Sequence, residues 1–491
     1  MSTARSGAVP DWLGARLGVD SRALAAFRVA LGLVLLVDVF TRLRSFRALY
    51  TDAGAVPRSV VLTEYGGAYE LLLAAPDPWL PLAALFVTTC CALALIAGRR
   101  ARLAAVGALL GLVVIQMRNP YVLNGGDVIL RTFVLWAVFL PLGEHSLRGP
   151  GERVVSIATA GIITQVVIVY AVNATHKLDS EAWRSGEAVA DVFGTAQFTY
   201  LLADWLADPL IGSGVLTAAT YAWFVLLLGS PLLVLSTGRA RTVLVSLFVA
   251  FHVGMLLTLS VGHFPLISIT GLLVLYPAGA YAWAARTAGK IRRRLGIDPP
   301  SLPDALSAGA VPVDLPGGRL RAALPAPVRR RGRQLFFVGV PALIIFVSLL
   351  SAVSAAGLVD TPETADSAIE TSDLGQDWRM FAPDPPERSW WLATPATRPD
   401  GRSVDAFHDE PLARDSPKQA ERMPGFRWRK LYQKLIFQNV TAHRTEYARY
   451  LCETRNVEQV TLYYGYHSSE PGRIEAGGEI LLSHTCSRTD G

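Results

Sequence analysis

The chain is poor in charge, and within that charge it is poorer still in lysine. Only 18% of its 491 residues are charged and 51% are hydrophobic, whereas soluble globular chains carry roughly 25% charge. Mean hydropathy is +0.34. Such a composition excludes intrinsic disorder, which needs little apolar content and much charge. Four cysteines are too few for a disulfide-dense secreted scaffold. The chain holds no H-E-x-x-H pattern, no Cys–His spacing suited to zinc, no G-x-x-x-x-G-K-[ST] loop and no G-x-S-x-G elbow. A metal centre, an ATPase and a serine hydrolase are therefore unsupported. Internal repeats are not evident, which weakens a secondary-transporter reading. The net charge of +6 does not imply nucleic acid, because basic and aromatic residues are not interleaved as a base-stacking surface requires.

What is present is a series of apolar runs of membrane length. They fall at 23–40, 79–98, 103–117, 128–142, 154–173, 216–235, 243–259, 265–285 and 335–356. The expectation is an all-α polytopic membrane bundle of about eight or nine transmembrane helices with a C-terminal extracytoplasmic α+β domain. Residues 1–22 form a cytoplasmic leader without a small-residue cleavage site. Residues 23–288 form the bundle, with an outer loop at 174–214. A basic cytoplasmic linker at 289–334, a last span at 335–357 and the soluble domain at 358–491 follow. Arginines in four loops (99, 100 and 102; 148 and 153; 239 and 241; and the block 290–333) put those loops and the N-terminus in the cytoplasm of a cell-membrane protein. Arg42, Arg44, Arg47 and Arg58 conflict with that count. An interfacial segment at 42–50, with Phe46, Leu49 and Tyr50 toward lipid, would accommodate them. Asp38 and Arg28 should face the bundle interior, and Trp183, Trp205, Trp378, Trp390 and Trp391 read as interfacial anchors.

In the soluble domain, 389–394 and 403–407 flank Asp400-Gly401 and read as a hairpin. A helix is expected over 441–455, and strands over 457–466 and 479–484. Cys452 and Cys486 both lie there, either as a disulfide or as two unpaired thiols.

Of 46 basic residues only five are lysines, and Lys177 is the single lysine before position 290. Arginine stays protonated in proteins, whereas a desolvated lysine can lose its proton near neutral pH and act as a base or nucleophile. The alternative is an ammonium snorkelling to headgroups. Asn173, Thr175, His176, Asp179 and Trp183 surround Lys177 in sequence, company that a snorkelling lysine does not need. Asp179 could instead hold it protonated as an ion pair. His252 lies inside a span, where a histidine that hydrogen-bonds a neighbouring helix is the plain reading. Asp127 opens a span, to complement its dipole, pair with Arg131 or orient a substrate.

The stretch Tyr170-Ala-Val-Asn-Ala-Thr-His-Lys-Leu-Asp-Ser-Glu-Ala-Trp183 resembles the lysine-pair segment of the vitamin K-dependent γ-carboxylase. Lys177 matches the second lysine of that pair, and His176 stands where the first would be. Phe251-His252 with Leu259-Ser-Val-Gly-His-Phe-Pro265, Asn124-Gly-Gly-Asp127 with Arg131 and Phe139-Leu-Pro-Leu-Gly143, and Trp378-Arg-Met-Phe-Ala-Pro383 are similar to segments of the related HTTM (horizontally transferred transmembrane) family. The resemblance covers roughly 20–285 and, loosely, 375–465. It implies that Lys177, assisted by His176, is the base toward a reduced quinone of the vitamin K or menaquinone type, with His252, Asn124, Asp127, Asp179 and Trp183 around it. Oxygen would turn the hydroquinone into an epoxide through a strongly basic intermediate. That base would take the γ-proton of a glutamate in a secreted peptide or protein substrate, and carbon dioxide would add. No metal is implied. The chain departs from the pattern in three places: Asp127 replaces an expected histidine, Met255 replaces an expected polar residue, and no peptide-docking region is recognisable in 360–491. Two rivals stand beside this reading: a non-enzymatic factor for maturation or export of a secreted peptide, and a lipid or quinone transporter.

Overall fold

The computed structural model describes residues 10–75, 78–295, 325–412, 423–438, 440–470 and 473–486. Most of the basic linker therefore lies outside the described residues.

Among the described residues six helices are long and apolar enough to cross a membrane: α1 (Ser21–Arg44), α2 (Trp79–Ile96), α3 (Ala101–Arg118), α5 (Ile157–Leu178), α7 (Gly238–Thr258) and α10 (Pro327–Ala355). A seventh crossing is available if the bent pair α8 (Phe264–Leu275) and α9 (Ala278–Arg294) counts as one. Two shorter apolar helices, α4 (Gly125–Phe139) and α6 (Val215–Leu228), complete the bundle. Expectation and structure differ where proline interrupts an apolar run. The run at 128–142 yields only the 15 residues of α4, which end just before Pro141. The run at 216–235 breaks at Gly229-Ser230-Pro231. The run at 265–285 turns by 109° at the break before α9, where Pro277 precedes the first helical residue. Proline removes a backbone donor and disfavours a helical residue before it, so continuous hydropathy does not give continuous helix.

The bundle is packed inside and apolar outside. Leu24, Leu31, Leu35, Ala105 and Leu112 are fully buried, while Phe86, Leu110, Val225 and Phe346 stand exposed. Exposed apolar faces of this extent would drive association in water. On helices of this length they are compatible with an integral membrane protein.

The C-terminal region is a sheet with two helices. Strands β1 (Arg388–Ala393) and β2 (Pro395–Thr397) pair in succession with the long β5 (Gln459–Glu470), which also pairs with β6 (Arg473–Thr485). β2 continues through β3 (Ser403–Asp405) to β4 (Glu410–Pro411). The hairpin across Asp400-Gly401 thus joins β2 to β3, and the segment at 389–394 pairs with β5 instead. The reason is burial: Trp390, Trp391 and Leu392 are all covered, and Gly465 on β5 leaves room for the Trp391 ring, which would stand 2.4 Å from a Cβ there. Helices α11 (Phe426–Phe437) and α12 (Thr441–Thr454) cover the sheet. Cys452 and Cys486 are joined by a disulfide. Of the five tryptophans expected at an interface, only Trp205 is exposed; Trp183, Trp378, Trp390 and Trp391 are core residues.

Candidate functional site

Helix α5 sets the site. Ser156 and Thr159 form a capping box at its start, and helical spacing brings Tyr170, Asn173 and Lys177 onto one face. A strap of chain, 376–384, crosses that face. Asn173 Nδ2 donates to the carbonyls of Trp378 (2.8 Å) and Met380 (3.2 Å). Lys177 Nζ donates to those of Met380 (2.6 Å) and Phe381 (3.2 Å). Trp183, on a short helix capped by Ser180, donates from Nε1 to the same Phe381 carbonyl at 2.8 Å. Its ring lies 4.0 Å from the lysine nitrogen. Gln165 Nε2 donates to Gln376 Oε1, which also accepts from Trp378 Nε1.

Lys177 is 1% exposed. It lines a cavity of about 1140 Å³ bounded by α5, α6, α7, the strap and the start of α11. The snorkelling alternative therefore does not describe it. Asp179 is exposed at the end of α5, and among the described residues no ion pair joins it to Lys177. His176 turns instead to Asp377 of the strap, with Nε2 2.8 Å from Oδ1.

His252 is completely buried and stands one layer behind the cavity wall. Its ring packs against Tyr170, Trp223 and Phe264, all three of which line the cavity. Nδ1 lies 2.8 Å from the Phe248 carbonyl. A carbonyl only accepts, so the proton sits on Nδ1 and Nε2 is left as an acceptor. That Nε2 has no hydrogen-bond partner among the described residues.

Asn124 lines the cavity and caps α4, exchanging bonds with Asp127: Oδ1 accepts from Asp127 N–H, and Asp127 Oδ2 accepts from Asn124 N–H. Asp127 does not pair with Arg131, whose guanidinium goes to Gln116 and Asp373. Its other oxygen enters a buried cluster that sequence reasoning missed. Arg42 reaches Asp38 at 2.8 Å and Asp127 at 2.7 Å. Arg427, from α11, reaches Asp38 at 2.6 Å and Asp127 at 3.0 Å. Tyr50 accepts from Arg42 Nη1 at 2.9 Å. All four charged residues are under a tenth exposed, and two carboxylates balance two guanidiniums. Burial and the Arg42 charge work against the Arg427 cation, but Asp127 and Asp38 outweigh them and hold it above its ordinary range. Burial pushes the nearby His263 imidazole down, against the pull of Asp38. The interfacial placement of 42–50 is thus corrected: Arg42, Leu49 and Tyr50 are core residues, held by this cluster. Asp38 and Arg28 are both buried in the bundle.

Arg429 and Lys430, also on α11, add two cations to the cavity wall. Arginine is the usual cation of this chain, so nothing in the sequence marked Arg429, and Lys430 is one of three lysines grouped at 418–434. The chain matches no family model, no curated protein and no solved structure.

Proposed function

We propose that the protein is a multi-pass membrane enzyme of the γ-carboxylase-like type, in which the free amine of Lys177 is the base toward a reduced quinone. One observation carries the reading: a buried lysine in the wall of a large aromatic cavity, without a carboxylate partner among the described residues. A neutral amine has two N–H bonds and one lone pair. The Met380 and Phe381 carbonyls accept the two N–H bonds, and the lone pair is left to take a proton. The Trp183 face favours the cation, and the absence of a counter-ion opposes it.

A quinone fits the walls. They are mostly apolar and aromatic around Tyr170, Trp223 and Phe264, and the volume exceeds the roughly 300–1,000 Å³ of ordinary small-molecule sites. Tyr170, Trp223 and Phe264 would hold the ring, with the His252 acceptor behind them. Bound there, a reduced quinone would supply with oxygen the strong base needed to remove a glutamate γ-proton before carbon dioxide adds. Lys177 Nζ takes the first proton. The strap fixes that nitrogen, and His176 ties the strap to α5 through Asp377.

The orientation belongs to the same proposal. The N-terminus is cytoplasmic and the C-terminal domain extracytoplasmic, with α4 and α6 counted as crossings to make nine. Arg42 and Arg58 no longer argue against it. Arg42 is neutralised in the buried cluster and Arg58 by Asp52 at 2.6 Å. The exposed Arg99, Arg100, Arg148 and Arg239 keep their topological weight.

The test is hydroquinone-dependent oxygen consumption by the purified protein, with epoxide as the product. Wild type should turn over, and Lys177→Arg should lose about 10²–10⁴-fold, the range of a lost general base. Folded wild-type protein that consumes no hydroquinone returns the function to the peptide-maturation reading.

A further inference from the structure

The cavity has a second polar feature that the lysine-base reading does not use. Arg429 is buried, at 5% exposure. One of its five N–H donors is committed, Nη1 to the Gln197 carbonyl at 2.8 Å. Its guanidinium carbon lies 4.4 Å from the centre of the Phe198 ring. Among the described residues it has no carboxylate partner. Among the described residues Lys430 beside it donates to the neutral Gln433, at 3.2 Å. Both line the same cavity.

Carboxylates also line the cavity, but they are committed. Asp377 is shared by His176 and Arg379, Asp373 pairs with Arg131, and Asp384 accepts from Ser180. A buried guanidinium with one donor committed, beside a partly exposed ammonium, is costly in such a wall unless an anion joins it. Their titration agrees with the geometry. Burial pushes Arg429 down to about 10, and burial together with the Arg429 and Lys434 charges pushes Lys430 down.

Toward α6 and α7 the wall is mainly hydrocarbon. Leu210, Val215, Phe251 and Met255 line the cavity from α6, α7 and the short helix Ala203–Leu210 before them. Both helices expose apolar side chains on their outer faces, Val225 on one and Val243 and Leu247 on the other. A ligand that satisfies both halves has an anionic head and an apolar tail.

We infer that Arg429 and Lys430 form the headgroup site for an anionic amphiphile, a carboxylate or phosphate monoester, whose tail fills the cavity between α6 and α7. Arg429 presents a planar fork that can meet two oxygens at once, and Lys430 adds a point charge beside it. The head can be a membrane lipid's or a free anion's, and the tail distinguishes them.

The full chain in nanodiscs of neutral phosphatidylcholine is titrated with decyl phosphate, inorganic phosphate and decyl maltoside. Decyl phosphate should bind, and the two others should bind at least about ten-fold more weakly. Arg429→Gln should weaken decyl phosphate about ten-fold, as loss of a charge-assisted pair does, and Arg429→Lys should restore part of it. Lys430→Gln, which leaves the Gln197 anchor intact, should also weaken it and serves if Arg429→Gln does not fold. Three outcomes overturn the site: equal binding of decyl phosphate by wild type and both glutamine variants, equal binding of decyl maltoside, or inorganic phosphate binding as tightly as decyl phosphate. The readout is binding alone, so it stands or falls apart from quinol turnover.

Discussion

At the scale of single residues, Lys177 was visible because arginine is used nearly everywhere else. Its isolation in a lysine-poor chain is a property of the string. Its partners are not, because Met380 and Phe381 lie more than 200 positions away. Asp127 was singled out, but its pairing with Arg42 and Arg427 escaped for the same reason: a buried cluster assembled from three distant segments has no local spacing to recognise. Asp405 gives a residue-scale prediction. Burial raises its carboxyl, but bonds from His408 and Thr394 outweigh burial and hold it below its ordinary value. A depressed carboxyl stabilises the fold above the ordinary aspartate pKa of about 3.9 and loses that contribution as pH falls through the folded value. The C-terminal domain should therefore lose stability on acidification below about pH 4. Asp405→Asn should cost about 1–3 kcal/mol at neutral pH and flatten that acid limb, as read by thermal melting across pH.

At the scale of elements, apolar runs located the helices but not their ends. Proline at 141, 231 and 277 decided which runs became long helices, and hydropathy averages over it. Helix α12 follows the helical spacing of Tyr447 and Leu451, both buried against the sheet. The mispaired hairpin shows the limit of turn signals: Asp400-Gly401 marks a reversal, but which strand pairs across it depends on Trp390 and Trp391 finding β5. The strap yields a prediction of its own. Asn173→Ala removes the donor shared by Trp378 and Met380. Amide exchange across 376–384 should speed up, while Thr175→Ala, whose hydroxyl bonds only to Val172 within its own helix, should leave it unchanged. The Cys452–Cys486 disulfide spans 34 positions. A loop of that size contributes about 2–4 kcal/mol, so reduction should lower the melting temperature of the C-terminal domain, followed by circular dichroism.

At the scale of the whole molecule, the structure is a bundle and a sheet domain that share an apolar core through Tyr50, Val122, Trp428 and Leu431, and the Arg42–Asp38–Asp127–Arg427 cluster and the strap also bridge them. The domain's composition was legible from the sequence, and its docking was not. Arg427→Ala leaves two carboxylates facing one guanidinium and should cost about 3–5 kcal/mol. Calorimetry should then show the domain melting apart from the bundle. Arg427→Lys should rescue little, since a point charge cannot bridge both carboxylates. If the variant instead melts in one transition at the wild-type temperature, the cluster does not join the two parts. The functional account turns on the state of one amine, and the scarcity of lysine makes that state measurable. The purified protein is treated with a small amine-selective reagent over a range of pH, and modification is followed by mass spectrometry at Lys177 and at the exposed Lys290. Lys177 should react at neutral pH and gain little as the solution is made alkaline, whereas Lys290 should rise steeply. A Lys177 profile that climbs in parallel with Lys290 would mean a cation in the cavity wall and would contradict the base role.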